Sequence, residues 1–466
     1  MEQLSPMDAQ FIEAEDEDRH ASFAIASIAI FEGPAPSYEE FLEAIRGRLP
    51  LVPMYRRKLR KVPFRLGPPV WVDDPDFDLR YHVRQTALPA PGGAAQLRQL
   101  MARVMAQRLD RDYPLWEYWL IEGLQKGRWA LISKVHHAMV DGVSGTDLYR
   151  VIFDLTPEPP PPVTETTAVP PEPSALALAS RAALDLLTLP TRVFTSVTDP
   201  ESDVLHRASE AARAAVMLAG SGRPAVSSSL CGPIGRQRRY AWARASLGDI
   251  KEIKEALGGT VNDVVLAAIT AGFRSLLLGR DEKPEPHMVP SLVPVSLRAP
   301  GEESIYDNRV SVIIADLPVH LADPVERLAA IRTEMAALKA GNEAAAGEAL
   351  ISLGRITPYW LTSQLIRAAY RLPQREIVTV TTNVPGPRQP LYGMGRKLVE
   401  IIPWVPIATT LRLGVSIFSY CDQVTFGITG DYDTTPDIDV FARAIEKGVR
   451  QLRKIARQRA AAADAA

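Results

Sequence analysis

Two adjacent histidines, His136 and His137, are the residues whose types and spacing most clearly suggest chemistry. They follow residues 130–135, an apolar run with β-branched members that predicts a buried strand. Because adjacent side chains on a strand point to opposite faces, the two imidazoles cannot both bind one metal ion. We therefore expect no metal site here. One imidazole that faces a cavity can instead take a proton from a hydroxyl near neutral pH, while the other supports it.

Asp141 and Gly142 follow the histidines in a predicted turn. Glycine can adopt positive φ there, and the aspartate can hold the turn through a salt bridge or backbone hydrogen bonds. Residues 144–155 then carry apolar side chains at helical spacing. The pattern predicts a strand, a polar turn and a helix. A histidine pair can also close a strand for packing reasons alone, so these residues leave both interpretations open.

Composition and charge narrow the class of protein. The 466 residues suggest two to three domains, and a 46% hydrophobic and 23% charged composition is ordinary for a globular protein with a large core. A formal charge of −2 gives no reason to expect nucleic-acid binding. Cys231 and Cys421 lie far apart and predict neither a disulfide framework nor a metal cluster, which fits a reducing cytoplasm.

No signal peptide or membrane span is expected. The N-terminal residues are acidic, without a basic stretch followed by an apolar one. The most apolar run, residues 264–273, is about half the ~20 residues that a membrane-spanning helix needs. Any association with a membrane should therefore be peripheral.

A proline-rich stretch divides the chain. Residues 1–158 and 227–466 each combine helices with several strands, which predicts two lobes of α/β or α+β type. Residues 159–226 are interpreted as a proline-rich linker followed by a helical crossover. Within it, the Ala- and Leu-rich residues 175–219 could pack across both lobes or form an amphipathic segment at a lipid surface.

Several local patterns have two interpretations. The basic residues 55–61 could be a solvated face, or could contact lipid head groups or cofactor phosphates. Pro114, Leu115 and Trp116 begin an aromatic-rich strand that packs in the core or lines a pocket. Thr260 or Asn262 could cap the helix that follows them. Residues 71–78 are interpreted as a loop, and residues 460–466 as a frayed tail.

Taken together, these motifs resemble those of the bacterial wax ester synthase/diacylglycerol acyltransferase family, within the chloramphenicol-acetyltransferase-like superfamily. The resemblance covers nearly the whole chain and rests on His136-His137-x-x-x-Asp141-Gly142, Leu4-Ser-Pro-Met-Asp-Ala-Gln-Phe11, Pro114-Leu115-Trp116, Thr260-Val-Asn262-Asp263-Val264, Val293-Pro-Val-Ser-Leu-Arg298 and Asn383-Val-Pro-Gly-Pro387. Residues 13–20, 32–36 and 71–78 look more narrowly like the mycobacterial triacylglycerol synthases. Ser419-Tyr420 also belongs to the pattern, but Cys421-Asp422, which follows it, departs from the pattern because a glycine is expected near that turn.

The resemblance implies two lobes with mixed sheets and a substrate tunnel between them. Acyl-CoA would enter from one face, and diacylglycerol or a long-chain alcohol from the other. His137 is then the expected general base, His136 the residue that orients the turn, and Asp141 a structural partner of Arg298 beside Gly142. The other expected site residues, for substrate binding or as oxyanion donors, are Asn262, Asp263, Pro114, Leu115 and Trp116.

Direct transfer is expected, because the sequence has no Gly-x-Ser-x-Gly motif and neither cysteine lies in a reactive pattern. No metal or resident cofactor is expected, since the thioester of the co-substrate acyl-CoA is already activated. The alternatives are a wax ester synthase, transfer to a polyketide-derived or sugar alcohol, and a non-catalytic lipid-droplet-binding protein. The expected location is the cytoplasm, as a monomer or homodimer on the inner membrane face or on lipid droplets, with residues 56–61 and 450–459 as candidate contacts.

Overall fold

The computed structural model describes residues 2–140, 152–163, 171–198, 228–296, 310–340, 359, 363–364 and 377–464. Its strands are β1 Glu2–Gln3, β2 Ala24–Phe31, β3 Arg57–Arg60, β4 Val70–Asp73, β5 Val83–Ala87, β6 Trp116–Leu124, β7 Arg128–His136, β8 Arg238–Ser246, β9 Pro290–Ser296, β10 Val310–Asp316, β11 Thr379–Val384, β12 Tyr392–Gly393, β13 Arg396–Trp404, β14 Leu413–Tyr420 and β15 Gln423–Asp431. Its α-helices are α1 Pro6–Glu17, α2 Tyr38–Arg46, α3 Leu79–His82, α4 Ala94–Ala106, α5 His137–Val140, α6 Ala175–Thr198, α7 Leu247–Leu257, α8 Val261–Gly279, α9 Pro324–Ala340 and α10 Ile438–Asp464.

The first lobe is built on a six-stranded sheet in the order β12-β13-β2-β7-β6-β5. The β5–β6 pair is parallel and the other pairs are antiparallel, so the sheet is mixed. β7, the strand predicted from its apolar run, lies in the interior between β2 and β6. Its side chains at Trp129, Leu131 and Ile132 are buried in the core of this lobe. The strand that ends at His136, directly before His137, is therefore held on both sides.

The second lobe contains a six-stranded sheet in the order β10-β9-β11-β14-β15-β8. β11 runs parallel to β9 and β14, and the remaining pairs are antiparallel. Helices α8 and α10 contribute much of its buried apolar surface. Two lobes with mixed sheets confirm the predicted fold class; the tunnel between them stays a prediction.

Helix α8 is the one described helix that is long and apolar enough to cross a membrane by length and composition. It extends beyond residues 264–273, the apolar run judged too short from the sequence. However, 72% of its apolar window is buried inside the protein. Its hydrophobicity is accounted for by its place in the core of the second lobe.

The first sheet is completed by a segment from the far end of the chain. β13 pairs antiparallel with β2, and β12 pairs with β13. This segment also contacts the second lobe, because Arg244 donates to both carboxylate oxygens of Glu400 at 2.6 and 2.9 Å and Tyr240 Oη donates to Pro403 O at 2.5 Å. The division of the chain near residues 158 and 226 stays a prediction, but the first sheet is not made from residues 1–158 alone.

Two local expectations were wrong. Residues 71–73 of the predicted loop 71–78 belong instead to β4, the middle strand of a small sheet in the order β1-β4-β3. The aspartates around the strand obscured the buried Val70, Trp71 and Val72. Residues 460–464 are not frayed but extend α10 to Asp464, because alanine is the strongest helix former.

The basic run from residue 55 to 61 is largely neutralised by acidic partners within the protein. Lys58 is on neither a solvated face nor a free basic surface: it is buried and donates to Asp74 at 2.8 Å. The neighbouring basic side chains form the ion pairs Arg57–Glu2, Arg60–Glu172 and Lys61–Asp16. Buried ionised groups are tolerated only when paired in this way. The run therefore contributes mainly to internal ion pairing.

Candidate active site

The two histidines lie at the junction between β7 and α5. His136 ends the strand, and its backbone N–H donates to Leu115 O at 2.9 Å. His137 begins the helical turn, and its N–H donates to Phe23 O at 3.0 Å. Both backbones are thus fixed by neighbouring segments. The side chains have different surroundings, as the strand period predicted: His136 is 2% exposed, whereas His137 is only half-buried.

His136 is held by groups on two sides of its ring. Its Nδ1 accepts a hydrogen bond of 3.1 Å from Ala138 N–H, so the hydrogen of the neutral ring lies on Nε2. That atom is 3.3 Å from Oε1 of the buried Glu15. Burial opposes ionisation of Glu15, but the interactions with His136 and Arg111 outweigh it and lower the pKa of this carboxyl to about 2. His136 therefore supports the turn that begins at His137, the role expected for it.

The imidazole of His137 packs against an aromatic side chain from α1. Its ring centroid is 4.3 Å from that of Phe11, with the rings tilted by 32°. Phe11 in turn lies 5.3 Å from Phe23, measured between ring centroids. A half-buried imidazole packed on an aromatic ring has fewer orientations than a free one, which suits a placed general base. The role of His137 as base stays a prediction.

Pro114, Leu115 and Trp116 enter the sheet beside the histidines, and all three are buried. The indole Nε1 of Trp116 donates to Tyr55 O at 2.8 Å. Its ring stacks on those of Tyr55 and His82, with centroid separations of 4.5 Å in both cases. These contacts support the packing interpretation. A role of this segment in lining a substrate pocket stays a prediction.

Asn262 and Asp263 lie in the first turn of α8. The hydroxyl of Thr260 accepts from Asp263 N–H at 3.2 Å, and the Asp263 carboxylate accepts from Thr260 N–H at 2.7 Å. This reciprocal capping box gives Asp263 a structural role and confirms Thr260 as the cap. The side-chain oxygen of Asn262 accepts from Nδ2 of Asn383 at 3.1 Å. The motifs at residues 260–264 and 383–387 are therefore in contact at the start of α8.

Asp141, Gly142 and Arg298 lie outside the described residues, as does most of the predicted helix over residues 144–155. Sequence reasoning missed Phe11 and Glu15, which contact the histidine pair from α1. Their spacing of four residues places both on one face of a helix, but it does not indicate what that face contacts. Within the described ranges, no group of three or more His, Cys, Asp or Glu side chains is placed to hold a metal ion.

Residues 4–265 match the family model of the wax ester synthase/diacylglycerol acyltransferase catalytic domain. Residues 306–453 match the model of the C-terminal domain that accompanies it. This chain belongs to the wax ester synthase/diacylglycerol acyltransferase family. Membership of this family makes the chain an acyltransferase.

Relatives in the wax ester synthase/diacylglycerol acyltransferase family align from end to end. The chain is 40% identical over 459 residues to a probable diacylglycerol O-acyltransferase of Mycobacterium tuberculosis, covering 98% of this chain and 97% of that protein. The wax ester synthase/diacylglycerol acyltransferase from Marinobacter aquaeolei VT8 superposes with a TM-score of 0.68 at 28% identity, covering 98% and 100% of the two chains. A trichothecene 15-O-acetyltransferase from Fusarium sporotrichioides shares the fold alone, with a TM-score of 0.60 at 13% identity over 97% of this chain and 94% of that one.

Proposed function

We propose that this chain transfers a long-chain acyl group from acyl-CoA to the free hydroxyl of diacylglycerol, giving triacylglycerol and CoA. The observation that carries the proposal is the end-to-end similarity, at 40% identity, to proteins named diacylglycerol O-acyltransferases. The geometry of the histidine junction supports it, because the half-buried imidazole of His137 is presented directly after an interior strand.

In the proposed mechanism, His137 takes the proton from the acceptor hydroxyl as that oxygen attacks the thioester carbonyl. A new C–O bond forms, the C–S bond of acyl-CoA breaks, and the imidazolium returns its proton to the departing CoA sulfur. A general base in place contributes roughly 10²–10⁴ in rate. No acyl-enzyme and no resident cofactor are required, because the thioester supplies the activated carbonyl.

Asn262 is the proposed donor to the oxyanion of the tetrahedral intermediate. Its Oδ1 is engaged by Asn383, so its Nδ2 is the side-chain atom that can donate to a substrate oxygen. Loss of one such donor costs about 10²–10³ in kcat. Asp263 would hold Asn262 in place by capping the helix that carries it.

The first test measures CoA release from palmitoyl-CoA by the wild type and by His137→Ala, with diacylglycerol or hexadecanol offered in turn. We expect release with diacylglycerol that falls by about 10²–10⁴ in the variant. Faster release with hexadecanol would assign the chain as a wax ester synthase instead, an activity included in the family name. Equal release by both proteins would refute the mechanism. No release from folded wild type would favour another acceptor or a non-catalytic lipid-binding role.

We further propose that the protein works in the cytoplasm at a lipid surface, either the inner membrane face or a lipid droplet. One face of α6 packs on the small sheet through Leu178 and Ala182. The helix also contacts the turn Pro63–Arg65. Four large apolar side chains near this contact are exposed and are called the apolar patch: Phe64 at 90%, Leu176 at 79%, Leu184 at 63% and Leu187 at 75%.

An apolar patch supports contact with lipid better than the basic segments do. Lys58 is buried in an ion pair, and Arg453 and Arg457 near the C-terminus pair with Glu252. Charges already satisfied inside the protein have less to gain from lipid head groups. Exposed apolar side chains, in contrast, gain free energy whenever an apolar surface covers them.

The test is co-sedimentation with phosphatidylcholine vesicles that contain diacylglycerol. Replacing Phe64 and Leu187 by serine should lower the vesicle-bound fraction at least about tenfold, because burial of each side chain is worth about 1.5–3 kcal/mol. Leu278→Ser is the matched control, since Leu278 is 51% exposed on α8 in the other lobe. The apolar patch would be refuted as the lipid-contacting surface if Leu278→Ser lost as much vesicle binding as the double variant, or if the double variant lost none.

A further inference from the structure

Glu15, near the end of α1, places a buried carboxylate behind the histidine pair. Its Oε2 lies 2.9 Å from a guanidinium nitrogen of Arg111. Its Oε1 accepts a hydrogen bond of 2.7 Å from Phe23 N–H and lies 3.3 Å from His136 Nε2. A carboxylate is costly to bury unless its oxygens are satisfied. Here two hydrogen-bond donors, from Arg111 and Phe23, and the imidazole of His136 converge on it from three different segments.

The first route from Glu15 to the catalytic turn runs through His136. A carboxylate that faces Nε2 favours the tautomer with the hydrogen on that atom. Nδ1 is then free of hydrogen and can accept from Ala138 N–H, as it does at 3.1 Å. Ala138 is the second residue of α5, so its N–H is one of the donors that a helix start leaves without an internal partner. Glu15 thereby fixes the conformation of the turn through His136.

The second route runs through the backbone of Phe23. Its N–H donates to Glu15, and its C=O accepts from His137 N–H at 3.0 Å. The Phe11 ring, one helical turn before Glu15 on α1, packs on the imidazole of His137. Two chains of contacts therefore lead from one carboxylate to the residue proposed as base.

We propose that Glu15 is a positioning residue, which holds the imidazole of His137 in its reactive orientation through His136 and Phe23. The inference rests on the proposed role of His137 as general base. Glutamine cannot replace the carboxylate. If the amide oxygen of the glutamine faces Phe23 and His136, its NH₂ group faces the Arg111 guanidinium, and two donors oppose each other. If the amide is flipped, the NH₂ group faces Phe23 N–H and His136 Nε2 instead.

The test compares steady-state kinetics of Glu15→Gln with the wild type. We expect kcat to fall about 10- to 100-fold with the KM for palmitoyl-CoA nearly unchanged, because a misplaced catalytic group slows the reaction without removing substrate contacts. The matched control is Asp16→Asn. Asp16 also pairs with Arg111, at 2.6 Å, and with Lys61, at 2.8 Å. Because Asp16 shares Arg111 with Glu15, the control removes one negative charge from the same cluster of ion pairs.

Loss of kcat in Glu15→Gln well beyond that in Asp16→Asn supports the proposal. Equal losses in the two variants, or a loss expressed mainly in KM, would overturn it. If Glu15→Gln does not fold, Glu15→Asp is measured by the same criteria, since it keeps the charge but shortens the reach to His136 and Phe23. Parallel assay of His137→Ala separates the two ideas: an active His137→Ala contradicts the proposed base, whereas an inactive one beside a normal Glu15→Gln contradicts only this inference.

Discussion

At the scale of the residue, Glu15 links the histidine pair to the stability of the protein in acid. Its pKa is lowered from 4.5 to about 2, so the folded state favours the charged carboxylate. The resulting stabilisation is fully present above the unfolded pKa and is lost as the pH falls through the folded value. At 1.36 kcal/mol for each unit, its full size is about 3 kcal/mol.

We predict that the wild type exceeds Glu15→Gln in free energy of unfolding at neutral pH by an amount that shrinks as the pH falls from about 5 towards 2. Urea unfolding of both proteins across this range measures the difference. A difference that stays constant over the whole range would contradict the lowered pKa of Glu15.

The contrast between His136 and His137 could be predicted, because the alternation of side chains along a strand is a local rule. The partner of His136 could not, since α1 and β7 meet only in the tertiary structure. The turn between β14 and β15 was predicted in part. Cys421 has a φ of +51°, a conformation that favours glycine, so the expectation of a glycine there was physically sound although the sequence departs from it.

At the scale of the element, α8 and α10 approach closely at Gly272. A Cβ atom at this position would lie 2.9 Å from the ring of Phe441 and 3.1 Å from Ile445, both of which are fully buried. We predict that Gly272→Ala lowers the free energy of unfolding. Overpacking costs about 1–3 kcal/mol, which exceeds the gain of up to about 1 kcal/mol from replacing glycine by alanine in a helix.

Gly279→Ala is the matched control for that prediction. Gly279 ends the same helix, and a Cβ atom there would meet nothing within 4 Å. Its stability should be unchanged or raised by up to about 1 kcal/mol. Urea denaturation measures both variants, and a Gly272→Ala protein as stable as Gly279→Ala would show that the helix contact can adjust.

Strong local signals mark where helices begin and end. Thr260, one of the two residues predicted to cap α8, does so, and the helix Leu247–Leu257 ends at Gly258, which adopts a φ of +81°. β13 escaped prediction because its sequence carries charged residues and Pro403, which pairs with Ser27 inside the sheet. Proline usually argues against a strand with neighbours on both sides.

At the scale of the whole molecule, composition and patterning gave the mixed class and the presence of two lobes. The family resemblance supplied the expected architecture. The family was confirmed by the matches to the two domain models, and the two-lobed mixed fold by the superposition on the Marinobacter aquaeolei VT8 structure. Neither the sequence pattern nor the family resemblance predicted that β13 pairs with β2. Strand pairing between segments far apart in a chain depends on burial and on register, which no local window contains.

The late position of β13 has a consequence for how the protein is made. During synthesis, β2, β7, β6 and β5 leave the ribosome long before β13 does, so the edge of β2 that β13 will cover stays open in the nascent chain. An open edge exposes N–H and C=O groups that can pair with other chains, and pairing between distant segments is slow. The first sheet therefore cannot be completed until β13 has been made, after β8 to β11 of the second lobe. Over that interval the growing chain carries an open sheet edge, which favours aggregation.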